Sequence, residues 1–208
     1  MRAIQRENIG GETLPFTGSR IDPTRLAFDF DGVFADTMHL FLEIAHQEFQ
    51  VDGIRYEDIT CYDLESCIDM DFGVIHAVLE QILEGSHIIP LRPMNEAPGV
   101  ISRILRRHAP ILFVTARTDP KPVIKWMKEV IGQNSSAIEI VATGTYDRKV
   151  EVLLDRSVSY FVEDRLETCF ALDAAGVKPI VYRQPWNRAL HPFPEVGSWE
   201  ELQRLIDI

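Results

Sequence analysis

Two periods run through the apolar positions of the chain. Leu26, Ala27 and Phe28, extended by Phe30, form a run short enough for a buried strand; it carries two carboxylates one residue apart, Asp29 and Asp31, and stops at Gly32. Behind Asp36 and Thr37, either of which can cap a helix, Leu40, Phe41, Ile44, Ala45 and Phe49 recur at helical spacing over about three turns. A mixed stretch from Tyr56 to Leu64 interrupts the pattern. A second helix follows, with Phe72, Ile75, Val78, Leu79, Ile82 and Leu83 on one side and Gly85 as its stop. Pro90, Pro93 and Pro98 then mark a returning linker.

From residue 95 helices and strands alternate. A helix carrying Val100, Ile101, Ile104 and Leu105 precedes a strand from Pro110 to Thr115, and a helix from Val123 to Ile131 leads to a strand from Ile138 to Ala142. A helix from Lys149 to Leu154 leads to Ser159 through Val162, which ends in Glu163-Asp164. A helix from Leu166 to Ala175, stopped by Gly176, leads to Pro179 through Tyr182, and Trp199 to Ile206 closes the chain as a helix. This alternation predicts an α/β fold, a Rossmann-like parallel sheet covered by helices on both faces. Residues 37–88 are far too many for a connection of about two to six residues. They are expected to form a small helical module inserted after the first strand, with the core in residues 1–36 and 89–208. The module is either two extra packing helices or a cap that closes over the crevice, excludes water and selects substrate. Residues 1–24, rich in glycine and polar side chains, suggest a loosely held arm or a short hairpin with no assignable chemistry.

Composition narrows the class. With 46% hydrophobic and 25% charged residues in a length of 208, the chain has the makeup of one ordinary globular domain plus an insertion. No apolar run approaches the roughly 18 residues of a membrane span, and no signal-peptide hydrophobic region follows the amino terminus, so a cytoplasmic protein is expected. Cys61, Cys67 and Cys169 are an odd number without a C-x-x-C pair, which fits ordinary thiols. A formal net charge of −11 disfavours a nucleic-acid or anionic-membrane partner. It also means that a phosphorylated substrate must be drawn in by a local positive centre, against the field of the whole protein.

Three predicted strands end in groups suited to one chemistry: Asp29 with Asp31, Thr115, and Glu163-Asp164. Parallel strands share a carboxyl edge, so these groups converge although they are far apart in the chain. Carboxylates crowded there repel one another unless a hard cation joins them, and Mg²⁺ prefers such oxygens. Asp29 and Asp164, with the backbone carbonyl of Asp31, are the expected ligands, and Glu163 acts through water or through a lysine. Asp29 is the candidate nucleophile, forming an aspartyl-phosphate. Asp31 is the candidate acid and base, and its closeness to other carboxylates should make it hold its proton more readily; the alternative is a turn former beside Gly32. The alternative for Glu163-Asp164-Arg165 is a simple cap of the helix that follows. Of five lysines, Lys121, Lys125 and Lys128 lie along one helix toward solvent and Lys178 sits at the opposite end of the sheet. That leaves Lys149, at the start of a helix facing the crevice, as the fixed cation for a transferring phosphoryl group, with Arg148 as the fallback. Thr115 and the N–H groups after it, beginning with Ala116, can hold phosphate oxygens. Phe30, Phe34, Tyr56 and Tyr62, with Arg117, are candidates for a base or sugar slot, although each aromatic ring also suits ordinary packing.

Asp29-Phe30-Asp31-Gly32-Val33 resembles the first motif of the haloacid dehalogenase (HAD) superfamily of phosphatases. Together with Thr115, Lys149 and Glu163-Asp164 it matches the four motifs of that superfamily in type, order and strand context, from about residue 26 to residue 183. Asp31 is similar to the second aspartate that distinguishes its phosphatases from its dehalogenases, and the early helical insertion resembles the family's cap. Asp29 through Asp36, Ile59 through Leu64 and Tyr160 through Arg165 look most like the small 5′(3′)-deoxyribonucleotidase group. Glu163 stands where that pattern usually has an aspartate, and Thr115-Ala116-Arg117 departs from it as well, so base preference does not transfer. The resemblance implies a Mg²⁺-dependent phosphomonoester hydrolase acting on a small phosphorylated metabolite, with a nucleoside monophosphate as the leading substrate. A sugar or other metabolite phosphate on the same core is the first alternative. A non-catalytic member that binds a phosphometabolite or a protein is the second.

Overall fold

The computed structural model describes residues 20–208. Among these residues the strands are β1 (Leu26–Phe28), β2 (Ile111–Thr115), β3 (Ile138–Ala142), β4 (Tyr160–Glu163), β5 (Lys178–Tyr182) and β6 (Glu195–Val196). The helices are α1 (Thr37–Phe49), α2 (Phe72–Glu84), α3 (Ala97–Leu105), α4 (Lys121–Ile131), α5 (Arg148–Asp155), α6 (Leu166–Ala174) and α7 (Trp199–Leu205). One sheet holds the strands in the order β3-β2-β1-β4-β5-β6, and every neighbouring pair is parallel. Parallel neighbours cannot be joined by a tight turn, so each connection except the last crosses over the sheet with a helix. None of the helices is long and apolar enough to cross a membrane.

Successive strand residues face opposite sides of the sheet, and both sides are apolar here. Phe28, Phe113 and Val162 join Val100 and Ile104 of α3, Met127 of α4 and Trp199 of α7 on one face. Ala27, Val114 and Phe161 join Leu153 of α5 and Leu172 of α6 on the other. The expected two-sided sheet is therefore present, and its order reverses between β1 and β4. At such a switch point the helices leave on opposite faces, and a crevice opens beyond the carboxyl ends of the two central strands.

The long connection from β1 to β2 begins with α1 and α2, which pack on each other around an apolar cluster of their own. Leu40, Phe41 and Ile44 from α1 meet Ile75, Val78 and Ile82 from α2, with Ile59, Leu64 and Ile68 from the turns between them. The Oδ1 of Asp71 accepts the Val74 N–H at 3.2 Å and caps α2, and Gly85, at φ +68°, stops it. The expected side-chain cap of α1 is absent: Asp36 occupies the position, but its carboxylate binds His39 Nδ1 at 2.7 Å, and the Thr37 hydroxyl turns toward Asp31 instead.

Other expectations need correction. β1 stops at Phe28, before the two aspartates. β6 was not anticipated, because two residues carry no readable period. The loose arm does not extend to Ile21, which is buried and donates its N–H to the Leu205 carbonyl at 2.7 Å while accepting the Asp207 N–H at 3.0 Å. The rest of that expectation, residues 1–19, lies outside the described residues.

Candidate active site

Asp29 is the first residue past β1, and its N–H reaches across to the Val162 carbonyl of β4 at 2.9 Å. One carboxylate oxygen accepts the Phe30 N–H at 2.7 Å; the other lies 2.8 Å from the Lys149 ammonium. Lys149 is the second residue of α5 and has no exposed surface; its ammonium also lies 2.8 Å from Glu163 Oε2. Glu163 ends β4, fully buried, and its other oxygen accepts the N–H groups of Asp164 and Arg165, each at 3.1 Å. Burial drives the Asp29 carboxyl well above the usual carboxylate range, and the charge of Glu163 adds to the effect. Burial also raises Glu163, but the Lys149 charge and hydrogen bond outweigh it and leave Glu163 below its ordinary value. Desolvation lowers the proton affinity of Lys149, but Asp29 and Glu163 outweigh it and hold that affinity above that of a free lysine. Lys121, Lys125, Lys128 and Arg148 are exposed, and Lys178 opens β5 at the other end of the sheet.

Asp164 follows β4, and burial, with the charges of Glu163 and Asp29, raises its pKa well above the carboxylate range. Its Oδ2 accepts the Trp186 indole N–H at 3.0 Å and its backbone carbonyl accepts Asn187 Nδ2 at 2.8 Å. Its Oδ1 is buried with no hydrogen-bond partner. Gly32 makes this packing possible: its φ is +72°, and a Cβ there would stand 2.1 Å from Asp164 Oδ2. Single oxygens of Asp29, Glu163 and Asp164 lie within 4.8 Å of one another. A buried, unpartnered carboxylate oxygen beside two more acids is an all-oxygen donor set, the kind that hard divalent cations such as Mg²⁺ take. The residues therefore fit the expected ion.

Asp31 differs from expectation. Its Oδ2 accepts Arg117 Nε at 2.9 Å, and its Oδ1 accepts Arg117 Nη2 at 2.7 Å and the Thr37 hydroxyl at 2.6 Å. Burial pushes the Asp31 pKa up, but Arg117 and Thr37 outweigh burial and hold it below the usual value, so Asp31 is an ionised acid and not a proton-retaining one. The third guanidinium nitrogen of Arg117 donates to the Ile82 carbonyl of α2 at 2.9 Å. Thr115 ends β2, buried, and its hydroxyl accepts the Arg117 N–H at 3.3 Å.

These groups open onto one cavity of about 440 Å³, within the range of small-molecule sites. Asp29, Asp31, Thr115, Ala116, Arg117, Lys149 and Asp164 line it. The α1–α2 segment contributes Met38, Ile59, Leu64, Ile75 and Leu79, together with Cys61, Asp63 and Glu65. Of the aromatic candidates, Tyr62 lines the cavity, with its hydroxyl 3.2 Å from that of Tyr146. Phe30 and Phe34 do not: both are fully buried and pack edge-on against Trp126 in the core. Tyr56 also stays outside it, its ring stacked on His39 at 4.0 Å and its hydroxyl donating to Gln184 Oε1 at 2.6 Å. Trp186, Tyr146 and Thr37 reach the cavity without having been anticipated. Trp186 follows β5 at the same carboxyl edge, so the rule that located the other strand tips could have found it.

The sequence model of the family described as 5′ nucleotidase, deoxy (pyrimidine), cytosolic type C protein matches residues 23–208. No curated protein matches the chain. Among solved structures, a predicted phosphoglycolate phosphatase from Haemophilus somnus superposes with a TM-score of 0.59 at 11% identity, over 87% of this chain and 96% of that one. A HAD-superfamily hydrolase from Ehrlichia chaffeensis superposes with a TM-score of 0.52 at 12% identity, over 90% and 97% of the two chains. CbbY from Rhodobacter sphaeroides, in complex with phosphate, does so with a TM-score of 0.52 at 16% identity, over 85% and 95%. At such identities these likenesses show the shared fold.

Proposed function

We propose, starting from the fact that this chain belongs to the family of 5′ nucleotidase, deoxy (pyrimidine), cytosolic type C proteins and is a HAD-type phosphatase, that it hydrolyses nucleoside monophosphates with Mg²⁺ through an aspartyl-phosphate. The observation that carries this reading is the meeting of Asp29, Lys149 and Asp164 in the wall of one cavity. Asp29 and Asp164, with the Asp31 backbone carbonyl, would hold the ion and Glu163 would act through Lys149; when bound, the ion neutralises charge on the phosphoryl group and on the crowded carboxylates.

In the first half-reaction an Asp29 oxygen attacks phosphorus in line, and the ester bond breaks toward the leaving oxygen. Asp31 gives that oxygen a proton; in the second half-reaction it takes one from the water that attacks phosphorus and frees Asp29. Lys149 and the N–H groups after Thr115 stabilise the three equatorial oxygens. Because Arg117 holds Asp31 ionised, Asp31 takes the proton it will donate from solvent as substrate binds, with the phosphate dianion competing for the guanidinium. The α1–α2 segment, within residues 37–88, acts as the cap, and its apolar side chains pack on the leaving nucleoside while keeping water out. A cytoplasmic setting agrees with the description of the matched family.

A panel of phosphomonoesters with MgCl₂ tests the reading, with deoxyribonucleoside monophosphates expected to be hydrolysed faster than sugar phosphates. Indifference to nucleotides would remove the substrate assignment, and full activity in Asp29→Asn would remove the covalent mechanism.

A further inference from the structure

Asp164 has two oxygens in unequal situations. Oδ2 is held by the Trp186 indole at 3.0 Å, and Oδ1 is buried without a partner. An indole N–H is a donor only, so it occupies one lone pair of Oδ2, pins the carboxylate plane and leaves Oδ1 as the oxygen with no partner. The donor is itself held in place. Its ring meets Tyr56 edge-on at 5.8 Å and packs on the apolar cluster of α1 and α2. Its neighbour Asn187 holds the Asp164 backbone carbonyl and also donates to the Tyr182 carbonyl at 2.8 Å. On the other side, Gln184 donates to the Gly32 carbonyl at 2.5 Å and accepts from Tyr56. The segment from Gln184 to Asn187 thus brackets the two residues, Gly32 and Asp164, whose close approach shapes the acid cluster.

We propose that Trp186 is the positioning residue of the cation site, fixing the Asp164 carboxylate so that it meets the ion through Oδ1 alone. The inference rests on the metal reading above and concerns which ion the site prefers. Mg²⁺ demands near-octahedral geometry and single-oxygen contacts, whereas Ca²⁺ accepts a carboxylate through both oxygens. A carboxylate released from Trp186 can swing to offer both, which harms Mg²⁺ more than Ca²⁺.

Calorimetric titration of the protein and of Trp186→Phe with MgCl₂ and with CaCl₂ tests this. Loss of a partner that orients a ligand lowers metal affinity about tenfold to a hundredfold, and that loss is expected for Mg²⁺, with a smaller one for Ca²⁺. Mg²⁺ affinity within about twofold of wild type, or equal losses for the two ions, would overturn the assignment. Should wild type take up no Mg²⁺, the metal reading itself falls and the proposal with it. If Trp186→Phe does not fold, the indole N–H resonances of wild type decide. Trp126 and Trp199 donate to the Leu91 and Val33 carbonyls at 3.0 and 2.8 Å, away from the site, and single Phe substitutions there assign the remaining signal to Trp186. That signal is expected to move on saturation with MgCl₂; a resonance that stays in place in a saturated protein overturns the proposal.

Discussion

At the scale of single residues, the four acids of the site hold their protons differently because each meets a different neighbour. Asp29 and Asp164 are raised, chiefly by burial and then by the other carboxylates; Asp31 and Glu163 are buried too but are lowered by Arg117 and Lys149. The sign for stability follows by linkage. A carboxyl with a raised native pKa is more protonated folded than unfolded, so folding loses stability as pH climbs from the unfolded value of about 3.9 through the raised one. The lowered pair act in the opposite sense, but their contribution is already complete above about pH 5, where the unfolded chain is ionised as well. In a chelator the melting temperature is therefore expected to fall as pH rises above about 5. Cation binding requires both raised acids ionised, so MgCl₂ should release protons as it binds, and calorimetry in buffers of different ionisation heat measures that release. Uptake without proton release would mean that Asp29 and Asp164 are already ionised. The sequence reveals Asp29, Thr115, Lys149 and Asp164 because each sits at the end or start of an element with a clear period. It conceals the state of Asp31, because the deciding partner, Arg117, lies 86 residues away. Trp186 stands beyond a strand tip, where the same rule reaches it, but its role is hidden because its partner, the Asp164 carboxylate, is not local to it.

Among the elements, the periodic ones were legible and the shortest was not. The α1 and α2 helices and the central strands announce themselves through their apolar positions, even β1 with its three residues, whereas β6 has only two. Contacts between elements are harder still, since no period encodes them. The most consequential is the fork of Arg117, which joins the end of β2 to Asp31 beyond β1 and to the last turns of α2 at Ile82. Replacing Arg117 with Met removes all three bonds and leaves Asp31 with the Thr37 hydroxyl and nearby Lys149. Breaking a buried pair by removing one partner costs roughly 3–5 kcal/mol, and partial exposure of Asp31 reduces this to about 2 kcal/mol. A melt of Arg117→Met should show that loss at pH 7, and the loss should shrink in acid once Asp31 is protonated. A loss that does not change with pH would mean that the guanidinium contributes packing alone.

The whole molecule sets a condition that no single element reveals: its net charge is −11, and its proposed substrate is a dianion. Lys149 and Arg117, the cations nearest the site, are each paired with an acid, so they soften the surrounding field without reversing it. Repulsion between like-charged partners slows their encounter and weakens as salt shortens the screening length, from roughly 30 Å at 0.01 M to about 8 Å at 0.15 M. With MgCl₂ held at saturation, kcat/KM for a nucleoside monophosphate should therefore rise, by about severalfold, across that span of NaCl concentration. The turnover number should move far less, because groups sealed from solvent around Asp29 are screened weakly. The opposite slope, with kcat/KM falling as salt is added, would show that the mouth of the cavity is locally positive despite the balance of the whole chain. Arg165, whose guanidinium lies 4.2 Å and 5.1 Å from the ring centres of Tyr146 and Tyr62, two residues that line the cavity, would then be the group to neutralise first. Arg165→Gln should flatten that slope if the attraction originates there and leave it unchanged if it does not.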